Sequence, residues 1–140
     1  MKYLIYISSA TALMTEAELS ALLPQIRETN KSLDVTGLLI YCNGTFIQAI
    51  EGKRNTIDKL FKTITQDKRH RNIITLAEGK LETRIFPDWS MAFTTVHPEE
   101  CEKLEGYLNP NNSNFIKSDN PHAAITILKT FAQSNKLGEF

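Results

Sequence analysis

The sequence predicts an α+β fold of the ferredoxin-like type, a βαββαβ sandwich followed by an extra strand and two helices. Apolar segments of strand and helix length alternate in that order from the N-terminus. The central strand segments are apolar on both faces, which is typical of strands covered on both sides of a sheet. Between two of them lies Asn43-Gly44, a strong hairpin signal. With 140 residues, 41% of them hydrophobic, the chain is long enough for one domain with a substantial core.

A strand and a long helix open the pattern. Residues 2–8 predict a strand at the centre of a sheet. Thr15 and Glu18 have the spacing of a capping box at a helix start. Pro24 lies inside this helix and should kink it or remove one hydrogen bond. The inward stripe of the helix consists of Leu19, Leu22, Leu23 and Ile26, and Asn30 extends it.

The hairpin and a second helix come next. Strands are predicted over residues 35–42 and 45–51, and Glu51-Gly52 is interpreted as turn geometry at the end of the second one. Asn55 and Asp58 predict the start of the following helix. Its inward-facing side chains are expected to be Ile57, Leu60, Phe61 and Ile64.

The rest of the chain is predicted to form three strands and two helices. The strands cover residues 73–76, 80–85 and 91–96, with Gly79 as a candidate turn, and the helices cover residues 99–107 and 123–134. With right-handed crossovers, we expect the first and third strands to be parallel neighbours. Both early helices should pack on one face of the sheet and the C-terminal helices on the other. Residues 1–97 then form the domain, and residues 98–140 form a helical extension.

Three polar residues occupy positions where burial would be costly. Gln48 has apolar neighbours on both sides within a predicted strand, Tyr6 lies in the middle of the first strand, and Asn30 falls on the buried side of the first helix. Strand alternation places Tyr6 and Gln48 on one face if their strands are adjacent. Because buried polar groups need hydrogen-bond partners, these residues either satisfy other protein groups or line a binding site.

Asp67, Arg69 and His70, at the end of the second helix, are expected on the same side of the sheet. Polar groups of these kinds around an apolar cleft suit a flat ligand with heteroatoms along its edge, and Leu22 and Ile64 could clamp its faces. The alternative is that the amides are satisfied structural residues, as buried polar groups usually are. Asp67 and Arg69 would then be an exposed pair of little energetic weight.

Five segments resemble a known family over residues 2–95. They are Leu4-Ile5-Tyr6-Ile7-Ser8; Asn30, six residues before Thr36-Gly37-Leu38-Leu39; Phe46-Ile47-Gln48-Ala49-Ile50-Glu51-Gly52; Asp67-Lys68-Arg69-His70; and Phe86-Pro87-Asp88-Trp89-Ser90-Met91. In this order and spacing they resemble the BLUF domain, the blue-light sensor that uses FAD. The resemblance implies a ferredoxin-like fold with FAD held non-covalently between the two early helices, with FMN or riboflavin as alternative flavins.

The resemblance also implies roles for individual residues. Tyr6 would give an electron and a proton to the excited flavin, and Gln48 would relay the proton and rearrange its amide. Asn30 would hold the other side of the ring edge, while Trp89 and Met91 would sense Gln48 and pass the change outward. The other implied cofactor contacts are Leu22, Ile64, Asp67, Arg69 and His70, together with Arg27, which could replace a contact where Thr29 departs from the family pattern.

The main interpretation is a short, stand-alone, non-enzymatic photoreceptor that signals through an unidentified protein partner. The alternative is a ferredoxin-like domain that senses a small molecule without photochemistry. An acylphosphatase-like hydrolase is disfavoured because no glycine-rich phosphate loop is present. Nucleic-acid binding is disfavoured because 16 Lys and Arg balance 16 Asp and Glu, and no apolar run reaches the length of about 20 residues that a membrane helix needs.

The two cysteines have no metal-ligand spacing, so we expect no metal site and a reduced, cytoplasmic protein. A homo-oligomer is expected as well. Its interface could lie on the C-terminal helices, where Ile125, Leu128 and Phe131 have amphipathic spacing, although these residues could equally pack on their own sheet.

Overall fold

The computed structural model describes residues 1–42, 44–86 and 90–95, with Glu16 and residues 92–95 described by their backbone alone. In chain order the elements are β1 (Lys2–Ala10), α1 (Glu16–Ser32), β2 (Thr36–Cys42), β3 (Thr45–Gly52), α2 (Arg54–Thr65), β4 (His70–Lys80) and β5 (Ala92–Thr95). The predicted C-terminal helices and the predicted domain boundary lie outside the described residues.

The strands form one sheet in the order β4-β1-β3-β2-β5. β1 is antiparallel to both β3 and β4, β2 is antiparallel to β3, and β2 is parallel to β5. The α+β sandwich is therefore confirmed, but the prediction of parallel β1 and β3 is wrong. The crossover through α1 makes β1 and β2 parallel, and the hairpin then reverses β3, which inserts between them antiparallel to both.

α1 begins as its sequence predicts. The Thr15 hydroxyl oxygen accepts from the backbone N–H of Glu18 at 3.1 Å, and the Glu18 carboxylate accepts from the backbone N–H of Thr15 at 3.4 Å. These two bonds complete the capping box. The helix continues through Pro24.

α2 begins earlier than predicted. It starts at Arg54, and its N-cap residue is Lys53, which makes no side-chain capping bond. Asn55 already lies inside the first turn, so the expected cap at that residue is wrong. The inward face of α2 follows the prediction, with Ile57 fully buried and Leu60, Phe61 and Ile64 packed against the core.

The region around Gly79 also differs from the prediction. β4 is a single strand that pairs with β1 from His70 to Lys80, so Gly79 is not a turn and residues 81–85 are not a strand. A Cβ at residue 79 would lie 3.0 Å from the ring of Tyr3. The glycine therefore allows the ring of Tyr3 to pack closely on β4 instead of ending the strand.

The core on the helix side of the sheet packs α1 and α2 against β1, β2 and β3. Side chains on the opposite face of these strands are buried as well, among them Ile5, Leu38, Ile40 and Ile47. Burial on both faces explains the weak apolar and polar alternation of the central strands. Cys42, on the second of these faces, is disulfide-bonded, so the expectation of reduced cysteines is wrong for this residue.

Candidate functional site

A cleft lies on the helix side of the sheet, with walls from α1, α2 and the segment that follows α2. Its volume is about 200 Å³. Apolar side chains form most of the walls, and polar groups converge from the sheet and from both helix ends. The lining residues are Tyr6, Leu22, Ile26, Thr29, Asn30, Leu39, Phe46, Gln48, Leu60, Thr63, Ile64, Asp67, Arg69 and His70.

Tyr6 and Gln48 form a buried hydrogen-bonded pair on the floor of this cleft. They are opposite each other in the β1–β3 register, so their side chains share one face. The Tyr6 hydroxyl donates to the Gln48 Oε1. Burial, and secondarily the negative charge of Asp67, raise the pKa of Tyr6 well above its usual value. The phenol therefore remains protonated and acts as a donor at neutral pH.

The other end of the Gln48 amide contacts the beginning of β5. Its Nε2 lies 3.6 Å from the Met91 Sδ, in the geometry of a weak hydrogen bond in which the thioether accepts. Met91 is fully buried in the helix-side core. A continuous chain of contacts thus runs from the Tyr6 hydroxyl through the Gln48 amide to Met91.

α1 also holds the backbone beside Met91. The Asn30 Nδ2 donates to the Ser90 carbonyl at 3.0 Å, and the Arg27 Nε donates to the Met91 carbonyl at 3.1 Å. Asn30 is only 3% exposed, and its Oδ1 has no hydrogen-bond partner among the described residues. An unsatisfied buried acceptor at the cleft wall is suited to a ligand donor.

His70 occupies a defined position beside the pair. Its Nε2 lies 2.6 Å from the Ile64 carbonyl, and its Nδ1 lies 2.8 Å from the Ser8 hydroxyl oxygen. A carbonyl oxygen can only accept, so Nε2 carries a proton and, in the neutral ring, Nδ1 accepts from Ser8. These two bonds join the end of α2 to β1 across one side of the cleft.

An ion pair lies at the mouth of the cleft. The Arg69 Nε is 2.9 Å from the Asp67 Oδ1, and the Arg69 backbone N–H donates to the same carboxylate. Hydrogen bonds from Arg69 hold the pKa of Asp67 below its usual value. The mouth therefore presents a carboxylate and a guanidinium in the charged state at neutral pH.

The structure brings eight of the predicted cofactor residues into this one lining, namely Tyr6, Leu22, Asn30, Gln48, Ile64, Asp67, Arg69 and His70. Arg27 is not among the lining residues, because its guanidinium bonds the Met91 backbone, whereas Thr29 is among them. Met91 lies behind Gln48, and Trp89 lies outside the described residues.

Several lining residues are absent from the predicted site. Leu39 and Phe46 flank Gln48 and Tyr6 on the same sheet face, and strand alternation could have identified both once the strands were paired. Ile26, Leu60 and Thr63 line the helix side. Ile26 and Leu60 belong to apolar stripes that the sequence assigns to core packing, so the pattern alone does not separate pocket walls from core.

The geometry of the cleft fits a planar ring held between two helices. Apolar walls can pack on the faces of a ring, while Gln48 and Asn30 offer carboxamides at its edge. Within the described part of the chain, no group of three candidate metal ligands is found. No helix there has the length and apolar character needed to cross a bilayer.

Comparison with known proteins points to one family. The family model described as sensors of blue-light using FAD matches residues 1–92. The photoactivated adenylate cyclase subunit beta of Euglena longa is 36% identical over 93 residues, which is 66% of this chain and 11% of that protein. The alpha subunit from Euglena gracilis is 31% identical over 83 residues and is covered over 8% of its length. The chain thus spans about a tenth of the length of these curated relatives.

Solved structures support the same assignment. The dark-state structure of BlrB, a BLUF protein, superposes with a TM-score of 0.73 at 29% identity, over 95% of this chain and 96% of that one. A bacterial light-regulated adenylyl cyclase superposes with a TM-score of 0.65 at 30% identity, over 95% of this chain and 34% of that one. Together with the family match over most of the described residues, these similarities show that the chain belongs to the BLUF family of flavin-binding blue-light sensors.

Proposed function

We propose that this chain binds FAD non-covalently in the cleft between α1 and α2 and responds to blue light through Tyr6 and Gln48. The observation that carries the proposal is the continuous contact from the Tyr6 hydroxyl through the Gln48 amide to Met91. A phenol, an amide that can rotate and the beginning of β5 are thereby connected within one buried site.

The cleft dimensions support a ring-binding role. Its volume of about 200 Å³ is below the range of about 300–1,000 Å³ that is usual for sites enclosing a whole drug-sized ligand. The enclosed part would therefore hold only a portion of a flavin, such as its ring, and Asp67 and Arg69 offer charged groups to the rest of the cofactor. FMN and riboflavin share that ring and remain alternative occupants.

Tyr6 is suited to donate a proton together with an electron. A bound flavin would supply blue-light absorption and an excited state that can take up one electron. The phenol is protonated at neutral pH, where burial disfavours its ionised form further, and its hydroxyl donates to the Gln48 Oε1. The proton therefore has a path into the amide, and the return of the electron and proton to Tyr6 restores the starting state.

Gln48 can convert this transfer into a change of shape. An amide carries donors at one end and an acceptor at the other, so reversing it exchanges what Tyr6, the flavin edge and Met91 meet. With Oε1 towards Met91, two acceptors would face each other, because a thioether offers no proton. We infer that Met91 then moves, and with it the backbone that Arg27 and Asn30 hold. Trp89, two residues earlier, is part of the same proposed response.

The proposed output is contact with a partner protein, without enzymatic activity of the chain itself. Its relatives include photoactivated adenylate cyclase subunits, of which the matched region is a small part. We propose an unidentified downstream protein as the partner, a homo-oligomer whose interface lies in the C-terminal segment that the sequence predicts to be helical, and a cytoplasmic location. Nucleic acid and membrane are not part of the proposal, since the formal net charge is zero.

Absorption spectroscopy of the purified protein tests the proposal. We expect a bound flavin whose absorption shifts reversibly to the red under blue light. Tyr6→Phe and Gln48→Leu should each keep the flavin and lose the shift. Tyr41→Phe is the matched control, because Tyr41 is also a buried phenol on this sheet face but accepts from the Met14 backbone N–H instead of bonding Gln48.

The possible outcomes separate the competing interpretations. A colourless protein that no flavin reconstitutes would refute the proposal and favour a domain that senses another small molecule. A bound flavin without a light-induced shift would retain the binding site and refute the photochemistry. A normal shift in Tyr6→Phe would refute the assigned role of the phenol.

A further inference from the structure

Glu51 is a buried carboxylate that the proposed photochemistry does not use. It lies on β3, three residues after Gln48 and on the opposite face of the sheet, with only 1% of its surface exposed. Its Oε1 accepts from the Thr36 hydroxyl at 2.8 Å and from the Phe86 backbone N–H at 2.6 Å, and its Oε2 accepts from the Ile85 backbone N–H at 2.7 Å. The sequence-based interpretation of Glu51 as turn geometry is therefore wrong.

A guanidinium completes this cluster. One amino group of Arg84 donates to the Thr36 hydroxyl at 2.9 Å. The other donates to the Asp34 carbonyl at 2.7 Å and pairs with the Asp34 carboxylate at 3.0 Å. The Thr36 hydroxyl thus accepts from Arg84 and donates to Glu51, so a positive charge lies one hydroxyl away from the buried negative one.

The bonds from Glu51 hold chain that lies outside the sheet. The register of β3 is already determined by its backbone pairing with β1 and β2. Two of the three hydrogen bonds to the carboxylate come instead from Ile85 and Phe86, which precede β5. Bonds from backbone N–H groups to a carboxylate are among the stronger hydrogen bonds in proteins, so Glu51 fixes this segment more than it fixes its own strand.

The described residues on either side of residues 87–89 are each held by side chains from other parts of the domain. Glu51 accepts hydrogen bonds from the backbone at the beginning of this stretch. Side chains of Asn30, Arg27 and Gln48 contact Ser90 and Met91 at its end. A chain this short spans a limited distance, at most about 3.6 Å per residue. Release of its beginning therefore increases the range of positions that its end can take.

We propose that Glu51 is a positioning residue that holds the segment before β5 so that the Met91 Sδ is ready to accept from Gln48, and that it thereby sets the lifetime of the light-adapted state. This inference rests on the proposed function. Dark recovery requires Gln48 to regain its bond to Met91, and an acceptor already in place lowers the cost of that step. Loosening the segment should slow the recovery.

The test is Glu51→Gln in the full chain, purified with flavin. The amide keeps the side-chain volume but replaces one acceptor oxygen with a nitrogen that cannot accept from a backbone N–H. We expect dark recovery to slow about tenfold, with the flavin bound and the amplitude of the red shift unchanged. Hydrogen exchange at the Ile85 and Phe86 amides in the dark should become faster. Glu28→Gln, the same change at an exposed residue of α1, is the matched control and should leave both quantities unchanged.

The inference would be overturned if Glu51→Gln binds flavin and its rate of dark recovery is within about twofold of that of the unsubstituted chain. If this variant does not retain flavin, Thr36→Val decides, because it removes the hydroxyl between Arg84 and Glu51 and keeps the carboxylate. Slower recovery in Thr36→Val supports the inference, and unchanged recovery overturns it. Failure of the proposed function is distinct, since the unsubstituted chain would then show no red shift.

Discussion

Replacement of Gly37 by alanine should be one of the most damaging single-methyl additions to this protein. A Cβ built on Gly37 would lie 2.0 Å from the Ala49 carbonyl oxygen, 3.0 Å from the Ala49 carbonyl carbon and 3.2 Å from the Ile50 Cα. These are backbone atoms of β3, so rotation of a side chain cannot relieve the contact. β2 and β3 would have to separate locally by about 1 Å.

The cost follows from what this separation breaks. Gly37 is opposite Ile50, and Leu38 is opposite Ala49, the second and third pairs from the beginning of β2 in the β2–β3 register. Loss of two ladder hydrogen bonds costs about 1 kcal/mol each, and overpacking adds about 1–3 kcal/mol. We therefore expect Gly37→Ala to lower the free energy of unfolding by about 3–5 kcal/mol, a large part of the stability of a typical domain.

Urea unfolding followed by circular dichroism measures this loss. Gly79→Ala is the matched control, because the three atoms nearest to a Cβ there all belong to the side chain of Tyr3, at 3.0–3.3 Å, and are not backbone atoms. We expect that variant to remain within about 1 kcal/mol of the unsubstituted chain. The displacement in Gly37→Ala should also weaken flavin retention, since β3 carries Gln48. A change below about 1 kcal/mol in Gly37→Ala would refute the steric reasoning.

Three further predictions concern single interactions. Because burial raises the pKa of Tyr6, folding stability should fall as pH rises above about 10, the ordinary tyrosine value. In an alkaline titration, tyrosinate absorbance should include a component that ionises above about pH 10 and that Tyr6→Phe lacks. Thr15→Ala should lower the free energy of unfolding by about 1 kcal/mol, because it removes the capping box. Thermal unfolding measures this loss, and the flavin spectrum should not change. Asp67→Asn should lower the free energy of unfolding by less than about 1 kcal/mol at pH 7, because the ion pair between Asp67 and Arg69 is partly exposed. The lowered pKa of Asp67 means that this contribution is present above about pH 4 and is lost as pH falls through the folded-state value, so the difference in urea unfolding between Asp67→Asn and the unsubstituted chain should be smaller at pH 3 than at pH 7.

The sequence predicted the features that depend on short-range patterns. The capping box at Thr15 and the burial of Gln48 follow from residues close together in the chain, whose spacing matches the period of a helix or a strand. Gly44 of the predicted hairpin has a φ of 89°, a conformation that glycine adopts without strain. Strand alternation was also sufficient to place Tyr6 and Gln48 on one face.

The sequence-based predictions were wrong where they depended on the direction of a strand or on which strand it pairs with. The antiparallel pairing of β1 and β3 depends on how two crossovers and a hairpin combine, and no local pattern records that combination. Gly79 is typical of a turn in the sequence, yet it is a strand residue because it pairs with Tyr3 of β1. In both cases the deciding neighbour is distant in the chain.

The sequence by itself determined the order of the first five elements, the Tyr6 and Gln48 pair on the cleft floor and the family to which the chain belongs. Only the tertiary structure decided that Arg27 bonds Met91 instead of lining the cleft, that His70 joins Ser8 to Ile64, and that Glu51 holds a segment more than thirty residues away. The physical reason is that periodicity records which side of an element is buried. The partner of a buried polar group is determined by whichever distant group the assembled fold brings within hydrogen-bond distance.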